Sequence, residues 1–162
     1  KYNLIILHAL TSINGLEWGL AKKIGELSSI LKAREIICIE GIGSMAETSN
    51  TFFISNKNED KFVKKTGLSK LKDGIIMGVT GALSLNKKLP ISCIFAETHS
   101  NLPDSRAAAK IITTLDNYLN LKVDPKPLIK KEEEFEVKIK GLLEKSKDAS
   151  EMKEKKELTY LG

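Results

Sequence analysis

The sequence predicts an α/β domain with a largely parallel sheet and helices on its faces. Three observations carry this. Short runs of branched apolar residues recur without polar alternation, the pattern of strands covered on both sides. Between them lie segments whose apolar residues repeat at spacings of three and four, as on a helix buried along one face. Gly and Pro separate the two kinds of segment, and alternating strands and helices favour parallel pairing.

Leu4–Leu10, LIILHAL, reads as the first strand, with His8 a core histidine within it. Gly15–Leu31 reads as a helix, because Leu16, Leu20, Ile24, Leu27 and Leu31 form a single-faced stripe. Glu35–Ile39, EIICI, reads as a second buried strand, with Gly41 and Gly43 making a tight turn at its end. Thr51–Ser55 follows as a short strand, and Glu59–Lys65 as a helix stopped by Gly67. Ile75–Val79 and Ile91–Ala96 are two further apolar runs that read as strands.

Asp104–Leu119 is the clearest helix. Asp104 is placed to cap its first turn, and Ala108, Ile111, Ile112, Leu115 and Leu119 lie along one side. Pro125 and Pro127 close the domain, so residues 1–124 form the α/β core. A long charged helix is expected from Leu128, with Leu128, Phe135, Ile139 and Leu142 as its stripe. Residues 125–157 therefore read as an arm, and residues 158–162 as an apolar docking peptide.

Composition narrows the function classes. Of 162 residues, 41% are hydrophobic, enough for one core. Lys and Arg number 26 against 21 Asp and Glu, a net +5. Residues 125–162 hold 10 basic and 9 acidic side chains, which leaves 16 and 12 for residues 1–124. The excess is diffuse, and only 6% of the chain is aromatic, so no nucleic-acid surface is expected. No apolar stretch approaches the roughly 18 residues that span a bilayer, so no membrane partner is expected either. Cys38 and Cys93 each sit inside an apolar run, where a thiol acts as a small hydrophobe. Neither has a partner at metal-ligand spacing, and the expected location is cytoplasmic, with no metal or cofactor.

The C-terminus stands out. Lys145–Glu157 offers almost nothing to bury, yet Leu158-Thr159-Tyr160-Leu161-Gly162 follows it. A solvated spacer is a poor anchor for self-docking and a good arm for reaching a foreign pocket. A terminal carboxylate beside apolar side chains is also a recurrent recognition element. Leu158, Tyr160, Leu161 and Gly162 are thus the expected partner-binding residues.

Strand-end loops are where sites arise in open α/β sheets. Glu40–Glu47 holds a Gly-x-Gly, Gly41 and Gly43, which fits either a weak nucleotide fingerprint or a turn that needs glycine. Ala96–Asp104 sets Glu97, Thr98 and His99 side by side at a strand end, before Pro103 and Asp104. An imidazole oriented by a carboxylate can do acid-base work. The plainer reading is that Glu97 and Thr98 satisfy backbone groups at a tight loop. Gly74–Leu85 lacks the Lys-Ser/Thr ending of a phosphate loop, and its small residues suit close helix packing.

The phrases EGIGSMAE, GIIMGVTGALSL and IFAETHSNLPDSRAAAKIITTLDNYLNLKVDPKPL, in that order, resemble the proteasome assembly chaperone 2 family in its archaeal branch. The most specific part is AETH-x-x-x-PD-x-x-AA at Ala96–Ala108, and the likeness runs over residues 4–143. It implies a three-layer α/β/α sandwich of the phosphorylase/hydrolase-like type, no enzymatic activity, and self-association as a homo-oligomer. It also implies a chaperone or activator of the 20S proteasome, with Gly41, Gly43, Glu47, Glu97, Thr98, His99, Pro103 and Asp104 in family motif loops. Activators of this kind dock by a terminal hydrophobic residue, Tyr, then any residue, between α subunits. Here the chain ends Tyr160-Leu161-Gly162, which displaces the aromatic by one position. Family members also carry a further N-terminal portion, and this chain begins after it; an incomplete sheet would need a partner subunit at its edge. The competing reading is a small-ligand binder or hydrolase/phosphorylase-like enzyme using loops 41–47 and 96–104. Convergence of Glu47, Glu97 and His99 in one pocket would favour it.

Overall fold

The structure, a computed structural model, describes residues 2–10, 13–44, 50–98 and 104–127 together with Lys130 and Lys138. In chain order the elements are α1 (Glu17–Ile30), β1 (Ile36–Gly43), β2 (Thr51–Ser55), α2 (Glu59–Thr66), β3 (Ser69–Lys70), α3 (Gly78–Ser84), β4 (Ile91–Thr98) and α4 (Ser105–Leu119). The strands form one sheet in the order β1-β4-β2-β3.

The sheet is mixed, a correction to the largely parallel one expected. β1 runs parallel to β4 from Ile36↔Ile91 to Gly43↔Thr98, and β2 parallel to β3, but β2 is antiparallel to β4. The cause lies in the connection. Only residues 44–50 separate β1 from β2. A parallel return needs a crossover of about a dozen residues or more, so β2 comes back in the opposite direction.

β4 is the central wall. Its Ile94 and Ala96 join Phe53, Phe62, Ala107, Ile111 and Tyr118 in one cluster, against α2 and α4. Its Cys93 and Phe95, with Ile91, join Ala21, Ala82 and Leu83 in another, against α1 and α3. Alternation along a strand sends neighbours to opposite faces, and β4 uses both. Phe62 stacks between Phe53 at 4.8 Å and Tyr118 at 4.2 Å, centroid to centroid. Fully burying such a ring contributes about 1.5–3 kcal/mol.

The helix ends follow local chemistry. Asp104 accepts a bond from the Ala107 N–H at 2.8 Å and caps α4, and Gly67 at φ 68° closes α2 in the left-handed conformation. α4 turns a slightly different face inward than its apolar residues suggest. Ala107, Ile111, Thr114 and Tyr118 are buried, while Ala108 is exposed. Thr114 manages this because its hydroxyl donates back to the Lys110 carbonyl at 2.9 Å. On α1, Ala21 and Ser28 are buried and Ile24 is partly buried, whereas Leu16, Leu27 and Leu31 are exposed.

Three expected elements differ. Leu4–Leu10 forms no strand, Ile6 is 87% exposed, and His8 is exposed rather than in a core. An apolar run reports fitness for burial, not the partner that supplies ladder bonds. Ile75–Val79 forms no strand either: Gly78 at φ 66° turns the chain and begins α3. Gly41 and Gly43 lie inside β1, not in a turn beyond it. Of the charged helix expected from Leu128 only Lys130 and Lys138 are described, both helical; its apolar stripe and the tail Leu158–Gly162 lie outside the described residues. No helix among the described residues is long and apolar enough to cross a membrane.

Candidate functional site at the strand ends

The C-terminal ends of β1 and β4 are adjacent because the two strands pair in register up to Gly43↔Thr98. That places Ser44, Asn50 and Glu97 together. Glu97 accepts from the Ser44 hydroxyl at 3.0 Å through one carboxylate oxygen and from the Asn50 backbone N–H at 2.7 Å through the other. The Glu97 N–H donates to the Asn50 carbonyl at 2.9 Å, and the Ser44 N–H to the Thr98 carbonyl at 3.0 Å. One side chain therefore grips both ends of the β1–β2 connection. The Thr98 hydroxyl makes a long bond, 3.4 Å, to the Ile42 carbonyl.

Gly41 packs closely against Thr98. A Cβ at position 41 would lie 3.1 Å from Thr98 Cγ2, so glycine lets the two strand ends close. Gly43 has open space at the same point. Asp104 serves as the cap of α4. Glu47, His99 and Pro103 lie outside the described residues, so the structure does not place the carboxylate-imidazole set. Among the described residues, no group of three or more His, Cys, Asp or Glu side chains is arranged to hold a metal ion.

Further down the same strands, register brings together two cysteines that sequence reasoning treated separately. Cys38 and Cys93 are Cα partners in β1 and β4, both are free, and both belong to the cluster on the α1/α3 face of the sheet. Cys38 is half-buried and Cys93 is 1% exposed. Cys93 and, more weakly, Thr80 draw the Cys38 thiol below its ordinary range, against burial and the nearby Glu40. The Cys93 thiol is pushed up by Cys38, by burial, and by the charge of Glu40. One carboxylate oxygen of Glu40 is buried without a hydrogen-bond partner. The signal that could have exposed this pair was strand pairing: residues 55 positions apart meet only once β1 and β4 are aligned.

At the opposite strand ends sits a network that sequence reasoning also missed. Glu35 Oε2 accepts from the Tyr118 hydroxyl at 2.8 Å, and Oε1 accepts from Ser92. Ser92 and Ser55 hydroxyls are 2.9 Å apart, and Ser55 accepts from the Asn58 N–H at 3.0 Å. Each hydroxyl donates one proton, so with the Ser92 proton on Glu35 it is Ser55 that donates to Ser92.

The fold and these bonded strand ends define a mixed-sheet α/β protein, with helices packed against both sheet faces and polar side chains that pin loops and helix ends. The model of the PAC2 family matches residues 1–143, and the chain belongs to that family. No individual curated sequence matches it. Among solved structures it is similar to Pyrococcus furiosus PbaA, described as an archaeal homolog of proteasome-assembly chaperone. Identity is 27% and the TM-score 0.73, over 91% of this chain and 65% of PbaA. A Thermoplasma acidophilum protein of unknown function shows 25% identity and a TM-score of 0.60, over 83% of this chain and 60% of that one. The archaeal proteasome activator PbaB of Pyrococcus furiosus shares the fold, with a TM-score of 0.70 at 16% identity, over 84% of this chain and 62% of PbaB. The chain thus spans less than two thirds of the length of each of these relatives.

Proposed function

We propose that this chain is a non-enzymatic proteasome assembly chaperone or activator-like protein of the archaeal branch of its family. It self-associates through residues 1–124, a three-layer α/β/α core of the phosphorylase/hydrolase-like type. Residues 125–157 carry the terminal peptide outward in the cytoplasm. Leu158, Tyr160, Leu161 and Gly162 engage the 20S proteasome or its α subunits. The observation that carries this reading is the family match over residues 1–143, supported by the likeness to PbaA. Repetition of the tail around an oligomer raises the effective concentration of a weak peptide. Against the enzymatic alternative stands Glu97, whose two carboxylate oxygens already accept bonds from Ser44 and Asn50.

The experiment is deletion of Leu158–Gly162, followed by pull-down on archaeal 20S particles and by mass measurement of the assembly. Loss of 20S binding with an unchanged assembly mass is expected. Undiminished binding of the truncated protein would remove the tail from the mechanism.

A further inference from the structure

We propose that Cys38 and Cys93 form a modification site, in which hydrogen peroxide converts the two facing thiols into a reversible cross-strand disulfide. Three observations carry it. The residues are direct partners in the parallel β1–β4 register, so their side chains leave the sheet on the same face. Both thiols are free and lie in the same buried cluster, Cys93 within it and Cys38 packed against it. Neighbouring strands run about 4.7–4.9 Å apart, inside the Cα range of roughly 4.4–6.8 Å that a disulfide bridges.

The two thiols have different surroundings, which divides the labour. Cys38 is the half-buried member, on the strand that has β4 on one side and no strand on the other among the described residues. Its polar neighbours Cys93 and Thr80 favour its thiolate, the form that attacks peroxide. Cys93 is buried in the cluster with Ala82, Phe95 and Ile91, and meets an oxidised Cys38 before solvent does. Glu40 works against the thiolate and moderates the reactivity.

The chemistry balances with peroxide as the sole oxidant. Cys38 sulfur attacks one peroxide oxygen, the O–O bond breaks, and the departing hydroxide takes a proton to become water, leaving a sulfenic acid. Cys93 then attacks the Cys38 sulfur. The S–O bond breaks as the S–S bond forms, and the hydroxide released takes the Cys93 proton to leave as a second water. Two thiols and one peroxide give one disulfide and two waters. Exchange with a reducing dithiol reverses the bond. The bridge would fasten β1 to the central strand of the sheet.

The test treats the folded chain with a small excess of hydrogen peroxide, alkylates remaining thiols with a maleimide after unfolding, and reads the intact mass. A monomer lighter by two hydrogens, with loss of both alkylation sites and full recovery of both after dithiothreitol, is expected. Peptide mapping should then join the segments holding Cys38 and Cys93. In Cys93→Ala, dimedone should capture a sulfenic acid at Cys38, and Cys38→Ala should leave Cys93 unmodified. The proposal is overturned by added oxygen with Cys93 still alkylatable, by disulfide-linked dimers, or by no mass change. The wild-type readout decides by itself if either variant fails to fold.

Discussion

The Tyr118 hydroxyl donates to Glu35 at 2.8 Å and thereby ties the last turn of α4 to the residue that precedes β1. The two residues lie 83 positions apart, and the bond sits at the rim of the cluster where Tyr118 also stacks on Phe62. Hydrogen bonds to charged groups contribute about 1.5–3 kcal/mol. Ser92 remains as a second partner of Glu35, so Tyr118→Phe should cost about 1–2 kcal/mol. Urea unfolding should show a lower midpoint with an unchanged slope; an unmoved midpoint would contradict the assignment.

The same tyrosine sets an alkaline limit. Burial, then the bond to Glu35 and its charge, hold the Tyr118 pKa above its ordinary value. Its stabilising contribution is therefore complete below the unfolded-state value of about 10. It is lost as pH rises from there through the higher folded value. The stability gap between wild type and Tyr118→Phe should narrow above about pH 10. A constant gap from neutral pH to pH 11 would reject this coupling.

Glu97 should behave as a loop fastener. Glu97→Ala removes the acceptors of the Ser44 hydroxyl and the Asn50 N–H, a loss of about 1–2 kcal/mol. Glu97→Gln keeps one acceptor oxygen and should cost less. Amide exchange at Asn50 should quicken in Glu97→Ala, while the paired residues of β1 and β4 stay protected. Equal exchange at Asn50 in both proteins would show that the carboxylate does not hold the loop.

Gly81 and Gly43 make a matched pair. A Cβ at Gly81 would meet the Ile76 carbonyl oxygen at 2.6 Å, whereas none at Gly43 meets anything within 4 Å. Overpacking costs about 1–3 kcal/mol, more than the roughly 0.5–1 kcal/mol that alanine gains in a helix. Gly81→Ala should lower the melting temperature and Gly43→Ala should leave it nearly unchanged. The reverse order would mean that α3 packs differently against residue 76.

Capping of α4 is the simplest case. Asp104→Ala deletes the acceptor of the Ala107 N–H and should cost about 1 kcal/mol. Asp104→Asn or Asp104→Ser should restore most of it. Failure of both to restore stability would assign Asp104 a role other than capping.

Local chemistry was legible in the sequence and pairing was not. Asp104, Gly67 and the helices they bound could be read directly, because capping and left-handed glycine depend on a few adjacent atoms. The Leu4–Leu10 run was misread because apolar continuity does not name a pairing partner. The reversed direction of β2 was present in the short connection of residues 44–50, a length signal that apolar patterning hid. The inner face of α4 was missed by counting apolar residues alone, since Thr114 and Tyr118 are buried with their hydroxyls bonded. Glu35 and Ser92, like Cys38 and Cys93, are remote in sequence, and only the register of β1 on β4 unites them. Most of the arm, the tail and His99 lie outside the described residues.

β1 and β2 follow one another on the chain yet leave a slot between them that β4 fills. During synthesis, both flanking strands emerge from the ribosome well before residue 98, so the nascent polypeptide carries two borders of unpaired N–H and C=O groups that await the same partner. The sheet closes only when β4 inserts, which makes the late-arriving strand the keystone of folding rather than an addition to a finished edge.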